Sequence, residues 1–140
     1  MKTLRIAGII FYTLLFVSIQ TMGQSKKTIL EKEIQSLTVL ELFIEEGIKE
    51  PLIEEKQIFN EDGELIELIT YNKEGDVTKW EKYLYDEDGN IIEEIFLDSR
   101  GKIEKKEKTI FKEGLRVERQ FFDNRDRMYK KKIYEYEYRK

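Results

Sequence analysis

The stretch Tyr85-Asp86-Glu87-Asp88-Gly89-Asn90-Ile91-Ile92 reads as the corner between two β-strands. Asp86 can hydrogen-bond its own following backbone, Glu87 and Asp88 suit a type I turn, and Gly89 supplies the left-handed position that a bulged hairpin loop needs. An aromatic residue enters the corner and two branched aliphatics leave it, which is strand chemistry on both sides.

The pattern recurs outward from this corner. Glycines stand at 63, 75, 89, 101 and 114, spaced by 12, 14, 12 and 13 residues, and Asp126 stands 12 further on. Four residues before each mark lie Phe59, Tyr71, Tyr85, Leu97, Ile110 and Phe122, followed by Asn60, Asn72, Asp86, Asp98, Phe111 and Asp123. Two residues after the mark come Leu65, Val77, Ile91, Ile103 and Met128. The Gly114 copy is offset by one, with Phe111 three before and Leu115 directly after, so its turn is shorter. Asp126 can replace glycine because aspartate tolerates positive φ better than most residues.

Between turns lie eight to eleven residues rich in Ile, Val, Tyr, Phe and Thr, with no proline. Helices need about 10–12 uninterrupted residues, and the glycines come too often for that. Strands are expected near 52–59, 64–71, 76–85, 90–97, 102–111, 115–122 and 127–138, preceded by one over 36–46 and a turn at 47–51. The expected fold is all-β, an antiparallel up-and-down meander of about eight strands built from 12–14-residue hairpin repeats. Strand centres are charged on both faces, from Lys79, Glu81 and Lys82 through Glu93 and Glu94 to Lys130–Lys132. That suggests a single twisted layer with both faces partly wet, or a rolled half-barrel with its bulkier face inward. Opposite charges across neighbouring strands are expected to help set register.

The register Tyr-Asx-x-x-Gly-x-aliphatic, best matched at Tyr71–Asp76 and Tyr85–Ile92, resembles the YD repeats of Rhs-type proteins and the MORN-variant repeats of antitoxin-like proteins. It is especially similar to small secreted YD-like repeat proteins of Bacteroidetes, over about residues 36–138. The resemblance implies a β-hairpin meander. It transfers no catalytic residue, and six turns are too few for the cargo-enclosing shell of large Rhs proteins.

The first 23 residues have the pattern of a cleaved signal peptide: basic Lys2 and Arg5, an apolar run from Ile6 to Ile19, then small and polar residues to Gly23. The run is shorter than the roughly 18 residues of a spanning helix, so no membrane span is expected after cleavage before Gln24. The expected destination is the periplasm or the exterior. Residues 24–35 form a polar lead-in with room for one helical turn, and 36–140 form the repeat domain. Of 25 basic and 29 acidic residues, the leader removes only Lys2 and Arg5, leaving a mature net charge of -6. That disfavours nucleic acid as a partner.

The chain has no cysteine and no histidine. Disulfides, thiolate or imidazole metal sites, and Cys or Ser-His nucleophiles are thereby excluded, and no cofactor motif is present. Glu93 with Glu94, or Glu104 with Glu107, are the carboxylate pairs a glycoside hydrolase would need at about 5 to 10 Å. Adjacent strand residues point to opposite faces, which favours solvated charge over catalysis. Asp86-Glu87-Asp88 lacks the ligand spacing of a calcium loop and reads as a turn. Trp80, Tyr83, Tyr85, Phe96, Phe121, Tyr134 and Tyr136 are the candidate binding surface, an aromatic platform for a glycan or partner chain. Packing within the sheet explains repeat-register members such as Tyr85, whereas Trp80 and Tyr83 lie off that register. Residues 125–140 carry seven basic and three acidic side chains, suited either to an anionic polymer or to keeping a terminal strand from pairing with other molecules. The expected function is that of a noncatalytic exported module binding an envelope protein or a glycan. An immunity or antitoxin-like role is the alternative, and a carboxylate hydrolase a third.

Overall fold

A computed structural model describes residues 25–44, 47 and 50–139, and the leader of the sequence reading lies outside them. After a short helix α1 (Lys26–Glu31) come eight strands: β1 (Ser36–Glu41), β2 (Leu52–Phe59), β3 (Leu65–Tyr71), β4 (Val77–Tyr85), β5 (Ile91–Leu97), β6 (Ile103–Lys112), β7 (Leu115–Asp123) and β8 (Met128–Ile133). They form one open antiparallel sheet in meander order, β1 to β8. The expected all-β meander is therefore observed as a single layer.

The turns explain why these residues form these strands. All six marks have positive φ, from 62° at Asp126 to 84° at Gly75. In five of the six corresponding hairpins the Asx side chain accepts two backbone N–H groups. Asp98 Oδ1 takes those of Arg100 at 2.8 Å and Lys102 at 2.9 Å, and Asn60, Asn72, Asp86 and Asp123 repeat the arrangement. The mark's own N–H then bonds the Asx carbonyl, as in Gly101 N to Asp98 O at 3.0 Å. At Gly114 no Asx is present; Glu113 and Gly114 both take positive φ between paired Lys112 and Leu115, the two-residue turn whose twist suits a hairpin.

Each hairpin also carries a β-bulge beside its turn. Tyr85 pairs with Ile91 while Leu84 pairs with Glu93, so Ile92 is the extra residue. By the same register shift Ile66, Thr78, Glu104, Val117 and Tyr129 are extra in theirs. The aromatic or large aliphatic residue that enters each turn thus faces two residues on its partner strand. Bulges bend the strand and strengthen its twist, and here they alternate between the two ends of the sheet.

Two strands are shorter than their sequence pattern suggests. β1 stops at Glu41 rather than 46, because Glu41 pairs with Leu52 and the preceding Pro51 has no N–H to continue the ladder. β8 stops at Ile133 rather than 138: the bulge at Val117 ends regular pairing, and only Tyr134 N to Val117 O at 3.0 Å follows. The lead-in contributes more than polarity. Ser25 caps α1, accepting from Thr28 N at 3.2 Å, and Ile29 is the most buried side chain at 2% exposure. Leu30 of α1 lies against the Gly63 turn, and Lys26 pairs with Glu64 at 3.0 Å.

Two glycines separate the cost of backbone strain from that of packing. A Cβ at Gly75 would meet nothing within 4 Å, whereas one at Gly63 would lie 2.9 Å from Leu30 Cγ. In urea unfolding followed by Trp80 fluorescence, Gly75→Ala should cost about 1–2 kcal/mol for the left-handed conformation alone. Gly63→Ala should cost about 1 kcal/mol more, because Leu30 must be displaced.

Candidate functional site

Strand alternation assigns side chains to two faces. Gln57, Leu68, Glu81, Tyr83, Glu94, Phe96, Glu107, Thr109, Arg119 and Phe121 share the first; Lys56, Ile69, Trp80, Lys82, Ile95, Lys106, Lys108 and Phe122 share the second. The two are unlike. The side chains of the sheet that are buried, Gln57, Leu68, Glu81, Glu107, Thr109 and Phe121, all lie on the first face, and four of the six are polar.

That burial corrects the expectation of solvated strand-centre charge. Glu94 and Glu107 are direct neighbours across β5 and β6, a like-charge pair that destabilises a sheet on its own. Arg119 reaches from β7 and donates to both, at 2.7 Å to Glu94 and 2.6 Å to Glu107. Lys105 adds a second cation to Glu107 at 3.1 Å. One strand pair away, the Tyr83 hydroxyl donates to Glu81, which also meets Lys79 at 3.0 Å. Burial is the main cause of a raised Glu94 pKa, opposed by Arg119 and reinforced by Glu107 and Glu81. Burial and the hydrogen bond to Glu81 likewise push the Tyr83 phenol well above its ordinary value. The long side chains cover one another, which is how a face without a second layer among the described residues buries charge.

The aromatic residues singled out in the sequence do not form one platform. Trp80 is on the second face, its Nε1 donating to Glu67 at 2.6 Å and its ring against Gly101. Tyr83, Tyr85, Phe96 and Phe121 are on the first. The Tyr85 hydroxyl donates to the Leu65 carbonyl at 2.8 Å, and Lys105 Nζ stands 3.8 Å from the centre of the Phe96 ring. Tyr134 and Tyr136 follow β8: Arg116 lies 5.7 Å from the Tyr134 ring, and the Tyr136 hydroxyl donates to the Arg116 carbonyl at 2.7 Å.

Phe121 is the exception to this dispersal. Three cations surround its ring, Lys130 at 4.7 Å, Arg119 at 5.7 Å and Lys132 at 5.8 Å, with Tyr129 tilted against it at 6.4 Å. Lys130 and Lys132 belong to β8, all six residues of which are exposed. In the sequence Phe121 and the basic tail stand out separately. Their meeting depends on the β7–β8 register, which pairs Phe121 directly with Lys130. Arg119, the residue that holds the two carboxylates together, is missed by sequence reasoning, since nothing local separates it from the other strand cations.

The hydrolase pairs are not assembled in the form proposed from the sequence. Glu93 and Glu94 face opposite sides, and Glu104 is the bulged residue of β6 while Glu107 pairs with Glu94. At the Asp86 turn the carboxylate is engaged by Asp88 N, Asn90 N and the Asn90 amide. Among the described residues no cluster of three or more acidic, histidine or cysteine side chains could hold a metal ion, and no helix is long and apolar enough to cross a membrane. No protein-family model, curated protein or solved structure matches the chain.

The carboxylates should separate in a pH titration read by NMR at the side-chain carbons. Glu94 should titrate above the ordinary glutamate value, and Asp98 below the ordinary aspartate value because the Lys102 and Arg100 N–H groups favour its charged form. The signs on stability are opposite. Asp98 supports the fold above its unfolded pKa, and that support is lost as pH falls through its lowered folded value. The contribution of Glu94 is complete below its unfolded pKa and is lost as pH rises through its raised folded value. Glu94→Gln should remove the second component and leave the first.

Proposed function

We propose that this chain is a noncatalytic exported β-repeat module that binds an envelope macromolecule, a protein or a glycan, at the β7–β8 end of its sheet. The observation that supports this reading is the cluster at Phe121. Lys130 and Lys132, on the fully exposed strand β8, stand over the Phe121 ring of β7. Among the described residues neither lysine joins an ion pair with a carboxylate. Phe121 itself is buried beneath these side chains, so its ring holds the ammonium groups by cation–π attraction, and those groups attract anionic groups on a polymer or partner surface. Tyr129, 61% exposed and tilted against the Phe121 ring, extends the same surface.

The signal-peptide pattern of the first 23 residues supports export, and the lack of cysteine and histidine favours a binding role over a catalytic one. The immunity or antitoxin-like alternative draws on the repeat register from Tyr71 to Ile92. It differs in requiring one effector protein as partner. The hydrolase alternative rests on Glu93 with Glu94 or Glu104 with Glu107; the strand pairing instead brings Glu94 beside Glu107, and Arg119 bonds both of those carboxylates.

The test is affinity capture from envelope extract with the processed protein, mildly crosslinked, with bound protein and sugar identified by mass spectrometry. A Lys130→Glu/Lys132→Glu variant is the control, and its exposed positions should leave the fold intact. Wild type should retain a specific ligand and the variant should lose about tenfold or more in affinity, the equivalent of about 1.4 kcal/mol. Equal capture by both proteins, or none by either, overturns the reading. Capture of a single effector protein, with protection of the producing cell, moves the assignment to immunity.

A further inference from the structure

Among the described residues the sheet has two open edges, and they differ in chemistry. β8 presents Met128-Tyr129-Lys130-Lys131-Lys132-Ile133, whereas β1 presents Ser36-Leu37-Thr38-Val39-Leu40-Glu41. Unpaired strand edges invite other strands, and lysines are a common way to block them. β8 has three lysines. β1 has no lysine, arginine or proline, and its Leu40 is 56% exposed, as are Leu42 at 47% and Ile44 at 82% just beyond it.

The hydrogen-bond phase of β1 identifies which backbone groups are free to pair. Phe59 N bonds Gln35 O at 2.9 Å, so by strand alternation Leu37 and Val39 also bond toward β2, while Ser36 and Thr38 direct their N–H and C=O outward. On β8, Tyr134 N bonds Val117 O, which by the same alternation leaves Lys131 and Ile133 directed outward.

We infer that β1 is a self-complementary edge at which two copies of this chain pair antiparallel, joining two eight-stranded sheets across a twofold axis at Thr38. In this register Thr38 faces its own counterpart, Leu37 faces Val39, Ser36 faces Leu40 and Gln35 faces Glu41. Each pair lies on one face of the joined sheet, as a twofold normal to the sheet requires. Threonine pairs and aliphatic pairs are favourable cross-strand neighbours, and no like charges meet. The competing arrangements fail on charge. β8 against β8 sets Lys131 against Lys131 and Lys130 against Lys132. β8 against β1 places Lys130 and Lys132 beside Val39 and Leu37 with no acid opposite, and its head-to-tail geometry would propagate without closing. One receptive edge and one blocked edge give an assembly that ends at two. This association stands apart from ligand binding at the β7–β8 end, which lies at the far edge of each copy.

Because the chain contains no cysteine, a single introduced one reports the axis directly. Residues paired in a hydrogen-bonded antiparallel site are about 5.5 Å apart at Cα, within the roughly 4.4–6.8 Å that a disulfide spans. The processed protein should sediment as a monomer–dimer equilibrium with nothing larger. Under mild oxidation Thr38→Cys should crosslink to a dimer, and Lys131→Cys, at the outward position of the other edge, should not. Thr38→Pro removes only an outward N–H and should weaken the dimer about tenfold or more, with Trp80 fluorescence and circular dichroism unchanged. Lys131→Pro should leave association unaffected. A monomer at every concentration with no crosslink in the Thr38→Cys variant, crosslinking of the Lys131→Cys variant instead, or species beyond a dimer would each overturn the inference. Ligand capture in the separate envelope experiment is indifferent to all of these outcomes.

Discussion

Everything in this molecule depends on a short polar contact: the side-chain oxygen of an Asn or Asp accepting two backbone N–H groups in the turn that follows it. At Asp98 those bonds go to Arg100 and Lys102, and four other hairpins repeat them. The contact holds the loop in the one shape that a left-handed residue then closes. It acts together with the bulge beside it, which sets the entering aromatic against two partner residues. Turn and bulge together determine which strand residue faces which, and therefore the composition of each face.

The faces show what that register costs and gains. It places Glu94 directly opposite Glu107, which two neighbouring strands would not tolerate without a third. Arg119 is supplied from β7, its guanidinium shared between both carboxylates and resting 5.7 Å from the Phe121 ring. Its Nε is buried without a hydrogen-bond partner. The interior of this sheet is thus an electrostatic and aromatic lattice more than an apolar core. In such a lattice removing one partner leaves a poorly solvated charge behind, so its parts are interdependent in a way that separate surface ion pairs are not.

A single layer also makes its edges part of its chemistry. A barrel has no edges and a sandwich can cover them, but a meander of eight strands ends in two unpaired backbones. Here the last strand places lysines over Phe121 and the first carries short apolar and hydroxyl side chains. The same lysines that keep β8 from pairing with another strand make the cationic, aromatic corner on which the binding proposal rests. One feature of composition thus serves two physical ends, repulsion of copies and attraction of anionic groups.

The architecture was legible in the sequence because its determinants are local. Glycine spacing, the Asx three residues earlier and the aliphatic two residues later each act within one hairpin, so they mark turns, strand number and meander order. The positive φ at Asp126 follows from the same spacing. Strand ends were less legible: β1 ends where Pro51 withholds a donor and β8 where Val117 bulges, and both depend on the partner strand. The site was legible only in pieces. Phe121, the carboxylates and the basic tail stand out by residue type, but their meeting does not, since Lys130 joins Phe121 through the β7–β8 register and Arg119 reaches Glu94 from two strands away. Trp80, conspicuous in the sequence, faces away from Phe121 and is occupied by Glu67 and Gly101. The repeat and the sheet are thus specified by residues close together in the chain, because turn chemistry is written in consecutive positions. Which charges are buried and which aromatics meet follow from strand pairing alone. Those properties belong to residues that become neighbours only when separate strands are brought into register.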